Sequence, residues 1–186
     1  MTEEQQGTQV TSYNATAKGL HWIAVLLILG LSIVGLYFSD LPRGDEKTAL
    51  RNMHASTGLL LLFLMVVRLG WRVRSGRPAD LETTTPLQAK IAHGMHHLLY
   101  LNVFVLIGAG MMSILTTATP VPFFGLFEIP SPFERDMDLH HLYEEIHEGA
   151  WIALMVLVGL HIVAALYHAF VQKDATLRRM WFSKKS

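Results

Sequence analysis

The sequence predicts an all-α integral membrane protein, built as a single four-helix bundle over residues 1–186. Composition is the first reason. Hydrophobic residues make up 51% of the chain and charged residues only 16%, whereas charged residues form about a quarter of an average soluble domain. The second reason is that four apolar runs are each long enough to cross a bilayer, which takes about 20 residues. Because lipid offers the backbone no hydrogen bonds, all four are expected to be helical.

The four predicted spans cover approximately residues 20–38, 54–71, 97–118 and 147–172. The first is rich in Leu, Ile, Val and Gly, and the second contains Arg68. The third and fourth begin with histidines and continue as apolar sequence. The long connection 119–146 contains PVPFFGLFEIPSPF, and it is expected to pack as a lid on the bundle mouth, with a mobile connector as the alternative.

The distribution of Lys and Arg predicts that both termini are cytoplasmic. Basic residues accumulate on the cytoplasmic side of membrane proteins. Four of the fifteen lie in the loops expected on the outer side, namely Arg43, Lys47, Arg51 and Arg135. The other eleven lie near the termini or the connection between the second and third spans: Lys18, Arg68, Arg72, Arg74, Arg77, Lys90, Lys173, Arg178, Arg179, Lys184 and Lys185.

The composition also excludes several kinds of chemistry. The chain has no cysteine, so disulfides, iron–sulfur clusters and thioether-linked haem are excluded. The formal net charge is zero, so no overall field favours a nucleic-acid partner. The ten histidines are the most informative feature of the composition, because several of them fall inside the predicted spans.

The fourth span carries two histidines that face the same way at different depths. His147 and His161 are fourteen residues apart. At about 100° and 1.5 Å per residue, their directions differ by about 40° and their depths by about 21 Å. Ionisable side chains inside a span usually face the bundle interior. The fourth helix is therefore predicted to present two inward imidazoles.

Each imidazole has a candidate partner at its own depth on another helix. His21 lies near the cytoplasmic end of the first span and matches His161, while His54 begins the second span and matches His147. Two bis-histidine pairs at two levels suit two b-type haems, each with an axial nitrogen on both faces. Hydrogen-bonded packing, a zinc or other divalent-ion site, and haem ligation by His and Met remain alternatives.

Two further residues fit the haem interpretation by their spacing. Gly35 lies fourteen residues after His21, where the first helix would pass the outer haem, and a glycine lets a flat ring approach. Arg68 lies fourteen residues after His54, at the level of the inner haem. Arg68, with Arg72 one turn further on, is a candidate partner for the haem propionates.

At these residues the chain resembles the bacterial cytochrome b561 family, the small dihaem membrane type that includes superoxide oxidase. The matching stretches are GLHW, MHASTG, HEGAW and GLHIVAALYH around His21, His54, His147 and His161, together with MVVRLGWR, FFGLFEIP and KDATLRRM. The resemblance covers nearly the whole chain. It implies that these four histidines ligate two b haems in the bacterial inner membrane. It also implies that electrons pass from periplasmic superoxide to ubiquinone.

The remaining histidines are open to more than one interpretation. His168 could donate a hydrogen bond to a quinone, helped by Lys173 and Trp22, or it could simply face lipid headgroups. His93, His96 and His97 could bind a metal, line the quinone pocket, touch propionates or form a polar helix start. A dense polar group of His140, His141, Glu144 and Glu145 could be a solvated helix entry or a fortuitous metal site.

Charge in the outer loops complicates a reaction with superoxide. Ten acidic residues in these loops and at the adjoining start of the fourth span, against four basic ones, give a net charge of −6, which repels an anion. Lys47 and Arg51, which precede His54 on the same predicted helix, could provide a local basic route, or they could be ordinary loop charges. The acidic surface could instead bind a basic periplasmic protein.

The function expected from the sequence is a dihaem b-type cytochrome that relays electrons across the bundle, as a superoxide:ubiquinone oxidoreductase. The second hypothesis is a non-enzymatic subunit that passes electrons between the quinone pool and a periplasmic protein partner. The third is a histidine-lined carrier of divalent metal without haem.

Overall fold

The computed structural model of the chain describes residues 12–81 and 83–182. It contains four long helices, which are α1 (Ala15–Ser39), α2 (Asp45–Ser75), α3 (Pro86–Leu115) and α4 (Met137–Tyr167). A π-helical turn (His168–Gln172) continues α4, and the short helix α5 (Thr176–Met180) follows. Lys184 and Lys185, counted above among the basic residues, lie outside the described residues, as do residues 1–11 and residue 82.

The four long helices confirm the predicted all-α bundle. Each is long and apolar enough to cross a membrane, when α4 and its π-helical turn are taken together as Met137–Gln172. Many large apolar side chains on their outer surfaces are exposed, including Leu26, Phe63 and Phe170. Such faces are costly in water and suit a lipid environment.

The helices begin earlier than the apolar runs that predicted them, because polar turns precede the lipid-spanning part. Thr85 and Gln88 form a reciprocal capping box that starts α3, with Pro86 in the first turn. The Asp136 side chain accepts hydrogen bonds from the Asp138 and Leu139 amides and starts α4. α3 also ends at Leu115 rather than at residue 118, since Ala118 has a positive φ of 59° and closes a turn.

The bundle consists of two helical hairpins, α1 with α2 and α3 with α4. Between the hairpins, α2 packs on α3, and the Trp151 indole of α4 donates a hydrogen bond of 3.1 Å to the Ser32 hydroxyl of α1. The hydrophobic core lies at mid-height and is formed by buried residues of all four helices: Ala24, Leu61, Met65, Val103, Ile107 and Leu154.

The two ends of the bundle differ in what they contain. One end, called here the terminal end, holds the start of α1, the end of α2, the start of α3 and α5. The other, called the loop end, holds the α1–α2 and α3–α4 connections. Which end faces the cytoplasm stays a prediction from the basic residues.

The α3–α4 connection contains a small antiparallel hairpin, β1 (Val121–Phe123) with β2 (Phe127–Ile129). It packs on α2, where the Ser56 hydroxyl donates to the Pro122 carbonyl and accepts from the Phe124 amide, both at 3.0 Å. Val121 is completely buried. These contacts match the predicted lid, except that residues 137–146 belong to α4 and not to the loop.

Candidate functional site

Toward the loop end, His54 of α2 faces His147 of α4 across the space between the hairpins. Their ring centroids are 6.2 Å apart and their planes cross at 73°. Two imidazoles bound to opposite sides of one metal ion need about this separation, because each metal–nitrogen bond is about 2 Å long. The structure therefore brings together the pair that the depth argument predicts, at a spacing that fits a shared iron.

In this pair, a hydrogen bond leaves the Nε2 of His147 free for coordination, whereas the Nδ1 of His54 makes none within the part of the chain that the structure describes. His147 Nδ1 lies 2.8 Å from the Leu106 carbonyl oxygen of α3. A carbonyl only accepts, so Nδ1 carries the hydrogen and Nε2 keeps its lone pair for a metal, as in most metal-binding histidines. His54 Nδ1 is buried and has no hydrogen-bond partner among the described residues.

Two glycines let neighbouring helices approach these histidines. A Cβ on Gly110 would lie 2.8 Å from His147 Nδ1 and 2.9 Å from its Cε1. A Cβ on Gly35 would lie 3.2 Å from His54 Cε1. Gly35 is thus at the predicted level, but the ring it meets is the imidazole of His54. Sequence reasoning missed Gly110, because its importance depends on the packing of α3 against α4.

Toward the terminal end, three histidines gather instead of two. His161 of α4 pairs with His96 of α3, with ring centroids 5.5 Å apart and planes at 71°. His21 of α1, the predicted partner of His161, lies at the same end of the bundle. In this structure, however, His21 Nδ1 contacts Arg68 Nη2 at 3.1 Å. An arginine only donates, so Nδ1 accepts this hydrogen bond.

The position of His96 is a finding that the sequence left open. Among His93, His96 and His97, only His96 is on the inward face of α3. His93 Nε2 lies 3.4 Å from Asp80 Oδ1 near the surface, and His97 is exposed. The helical periodicity of α3 could have distinguished His96 from the other two. His96 is eleven residues, or about three full turns, before the buried Ile107, so both lie on the same face of the helix.

Arg68 and Arg72 lie at the terminal-end histidine level, where the sequence predicts partners for haem propionates. The Cζ atoms of Arg68 and Arg72 lie 5.8 and 5.7 Å from the centroid of the Tyr100 ring. Arg68 Nη1 also contacts the Ala17 carbonyl at 3.4 Å. Two guanidinium groups above one aromatic ring form a concentrated positive site that would suit carboxylates.

The candidate quinone residues lie at the terminal end, around the π-helical turn. His168 Nδ1 is 2.6 Å from Asp174 Oδ2, and the Thr176 amide donates to Asp174 Oδ1 at 2.8 Å. Burial opposes ionisation of Asp174, but these hydrogen bonds outweigh it and hold the pKa of the carboxyl below its ordinary value. Lys173 is exposed and ends the π-helical turn in the left-handed region, with a φ of 54°.

Trp22 is engaged by the C-terminal segment. Its indole N–H donates to the Met180 carbonyl at 3.1 Å, and its ring meets the Trp181 ring edge-on at 5.2 Å. Lys18 Nζ donates to the Trp181 carbonyl at 2.9 Å. In this arrangement, the N–H of Trp22 is already engaged and would not be open to a quinone.

The two candidate superoxide residues behave differently at the loop end. Lys47 Nζ donates to the Ser39 and Leu41 carbonyls at 3.1 and 2.8 Å, so it closes the end of α1. Arg51 is exposed on α2. The structure does not bring the two charges into one cluster with His54.

Comparison with known proteins gives the family. The family model described as "Prokaryotic cytochrome b561" matches residues 12–183. The chain is 29% identical to "Cytochrome b561 homolog 2" of Escherichia coli over 171 residues, covering 90% of both chains. It is 26% identical to "Probable superoxide oxidase CybB" of Yersinia pestis over 93% of this chain and 97% of the relative. It is 30% identical to "Cytochrome b562" of Cereibacter sphaeroides, again over 93% and 97%.

Proposed function

The chain belongs to the prokaryotic cytochrome b561 family of membrane electron-transfer proteins, and from this premise we propose that it is a dihaem cytochrome that oxidises superoxide and reduces ubiquinone. The family implies haem b and a place in the bacterial inner membrane. The number of haems, the substrates and the orientation belong to the proposal. The loop end would face the periplasm, in keeping with its few basic residues.

The observation that carries the proposal is the presence of inward histidines at two levels of one helix. His54 and His147 would hold one haem near the loop end, and His21 and His161 the other near the terminal end. Arg68 and Arg72 would bind propionates of the second. Haem iron supplies reversible one-electron transfer, with a potential set by its ligands and its surroundings.

The chain's own residues would guide both substrates. Two superoxide anions would each lose one electron and leave as O2, with Lys47 and Arg51 offsetting part of the acidic field at the loop end. Ubiquinone would take up the two electrons and two protons to become ubiquinol. His168 donates from Nδ1 to the Asp174 carboxylate, so only its doubly protonated imidazolium form would donate a second hydrogen bond, from Nε2, to a quinone carbonyl. Lys173 and the ring of Trp22 would line the same region.

A reduced-minus-oxidised spectrum of the detergent-purified protein, with pyridine haemochrome quantitation, is the first test. The expected result is a low-spin b-type spectrum and close to two haems per chain. Superoxide should then reduce the haems rapidly, and added ubiquinone should reoxidise them. A sample that lacks haem after expression with adequate haem supply would overturn the proposal.

The second candidate function is electron exchange with a protein partner. The acidic loop end favours it, since ten acids against four bases would attract a basic periplasmic protein. Haem reduction by superoxide alone supports the oxidase. Haem that stays oxidised with superoxide, but is reduced by a basic redox protein in a salt-dependent manner, supports the partner.

A further inference from the structure

His140, His141 and Glu144 form a compact group of metal-binding side chains at the loop end, in the first turns of α4. One coordinating atom from each lies within 4.8 Å of the others. His140 Nε2 and His141 Nδ1 are both 3.4 Å from the same oxygen, Glu144 Oε2. Ligands about 2.1 Å from a tetrahedral zinc ion are themselves about 3.4 Å apart. Both measured nitrogen–oxygen distances therefore fit one ion.

His140 is oriented in the same way as the candidate haem ligand His147. His140 Nδ1 contacts the Ser113 carbonyl of α3 at 2.7 Å, just as His147 Nδ1 contacts the Leu106 carbonyl at 2.8 Å. Both histidines and both carbonyls are spaced by seven residues, so one antiparallel contact is repeated two turns along the helix pair. The carbonyl fixes the hydrogen on Nδ1 and leaves Nε2 to bind a metal.

The surroundings favour a cation that enters from water. His140 is 18% exposed, whereas the side chains of His141 and Glu144 are 65% and 55% exposed and can adjust around an ion. The loop-end connections and helix ends carry a net charge of −6, which raises the local concentration of cations. Two imidazoles and one carboxylate, with a position left for water, form a common zinc ligand set.

We propose that His140, His141 and Glu144 form a binding site for a divalent transition-metal ion, of which Zn2+ is the model. The site lies about 10 Å along α4 from His147. It is separate from the haem level, and it goes beyond the proposed electron transfer. A bound dication would offset part of the negative charge at the loop end. Ordinary ion pairs between histidine and glutamate are the alternative, and exposed pairs of this kind add little stability.

Zinc binding to the tag-free, haem-loaded protein in detergent tests the proposal. Equilibrium dialysis against buffered Zn2+, with metal analysis by mass spectrometry, should give one saturable site per chain. Glu144→Gln and His141→Ala should each raise the Kd at least tenfold. Both side chains are exposed, so both variants should keep the haem content and thermal stability of the unmodified protein.

Glu145→Gln is the matched control, because it removes the same charge one residue away on the same helix. It should bind Zn2+ with unchanged affinity. If Glu145→Gln and Glu144→Gln weaken binding equally, the ion is held by general charge and the site does not exist. If no variant changes the Kd, the zinc is bound elsewhere and the proposal is equally wrong.

A spectroscopic measurement identifies the ligands directly. Zinc X-ray absorption of the loaded protein should show two imidazoles and loss of one in His141→Ala. A spectrum with no imidazole scattering would overturn the assignment. None of these readouts depends on superoxide or quinone, so failure of the proposed oxidase activity would leave the zinc result intact.

Discussion

The two histidine levels of the bundle differ in how far their imidazoles are already placed to hold a haem. At the loop-end level, His54 and His147 face each other alone, glycines leave room for both rings, and a carbonyl fixes one of them. At the terminal-end level, His21 accepts a hydrogen bond from Arg68, while His161 pairs with His96. The loop-end level contains two imidazoles, and they can pair in only one way. The terminal-end level has three imidazoles, and the hydrogen bond from Arg68 to His21 would have to be released if His21 were to hold a haem.

This difference shows where the fold alone determines ligand geometry and where charge takes part. His147 of α4 is oriented by its hydrogen bond to the Leu106 carbonyl of α3. At the terminal end of the proposed cytochrome, the availability of His21 would depend on whether Arg68 pairs with the imidazole or with a carboxylate such as a propionate. Binding of haem and release of His21 would then be one coupled event.

Removing a ligand should give the largest effect. We expect His147→Ala to lose one haem of two, and His161→Ala likewise, because each imidazole serves a different level. His141→Ala should lose none, since it lies outside both levels. Pyridine haemochrome quantitation on purified proteins checks this. Equal haem content in all three variants would remove the basis for two separate levels.

Two histidine substitutions can show whether His21 or His96 is the haem ligand opposite His161 at the terminal end. His21→Ala should lose the inner haem, and His96→Ala should keep it with an altered redox potential, because His96 would neighbour the haem without ligating it. Haem content and a spectroelectrochemical titration of both variants are the measurements. The reverse pattern would make His96 the ligand and replace the depth-based pairing.

The glycine next to His147 offers a test of preorganisation. Gly110→Ala should lower the free energy of unfolding by about 2 kcal/mol, because the new Cβ would lie 2.8 Å from His147 Nδ1. Thermal unfolding monitored by haem absorbance reports this. Gly108→Ala, on the same helix with no atom within 4 Å of its Cβ, is the control and should be neutral or slightly stabilising. Matching losses in both variants would mean that the contact is unimportant.

The smallest effect is expected from the hydrogen bond that anchors the C-terminal segment. Asp174 has a pKa held below its ordinary 3.8, so its ionised form adds stability above about pH 4, and this is lost as the pH falls through the lowered value. Asp174→Asn should weaken the segment by about 1 kcal/mol. Hydrogen exchange of residues 173–182, measured across pH, is the readout.

The control for that prediction is Asp80→Asn. Asp80 also lies near a histidine, but its side chain is 46% exposed, so the substitution should leave exchange at the C-terminal segment unchanged. Equal protection in Asp174→Asn and the unmodified protein at neutral pH would show that the hydrogen bond between His168 and Asp174 does not hold the segment.

Much of this architecture could be predicted from the sequence, because a segment that crosses lipid must be long, apolar and helical. Hydropathy predicts the four helices, and the fourteen-residue spacing of His147 and His161 predicts two levels. The facing of His54 and His147 follows from depth matching, although haem ligation by this pair stays a prediction. Depth alone cannot choose between His21 and His96, since both lie at the level of His161. The contact between Gly110 and His147 depends on how α3 is rotated against α4, and this rotation cannot be read from the sequence of either helix alone.

Leu154 is the most deeply buried residue of α4, and it marks the midpoint of a stripe with seven-residue spacing. The other members of the stripe are all imidazoles, at His140, His147, His161 and His168. In the proposed cytochrome, this leucine sits about 10 Å from the ligand on either side. An electron that passes between the two levels would tunnel through a saturated hydrocarbon layer. That layer would be the barrier through which electrons tunnel between the two haem levels. Its thickness would be set by the fourteen residues between His147 and His161.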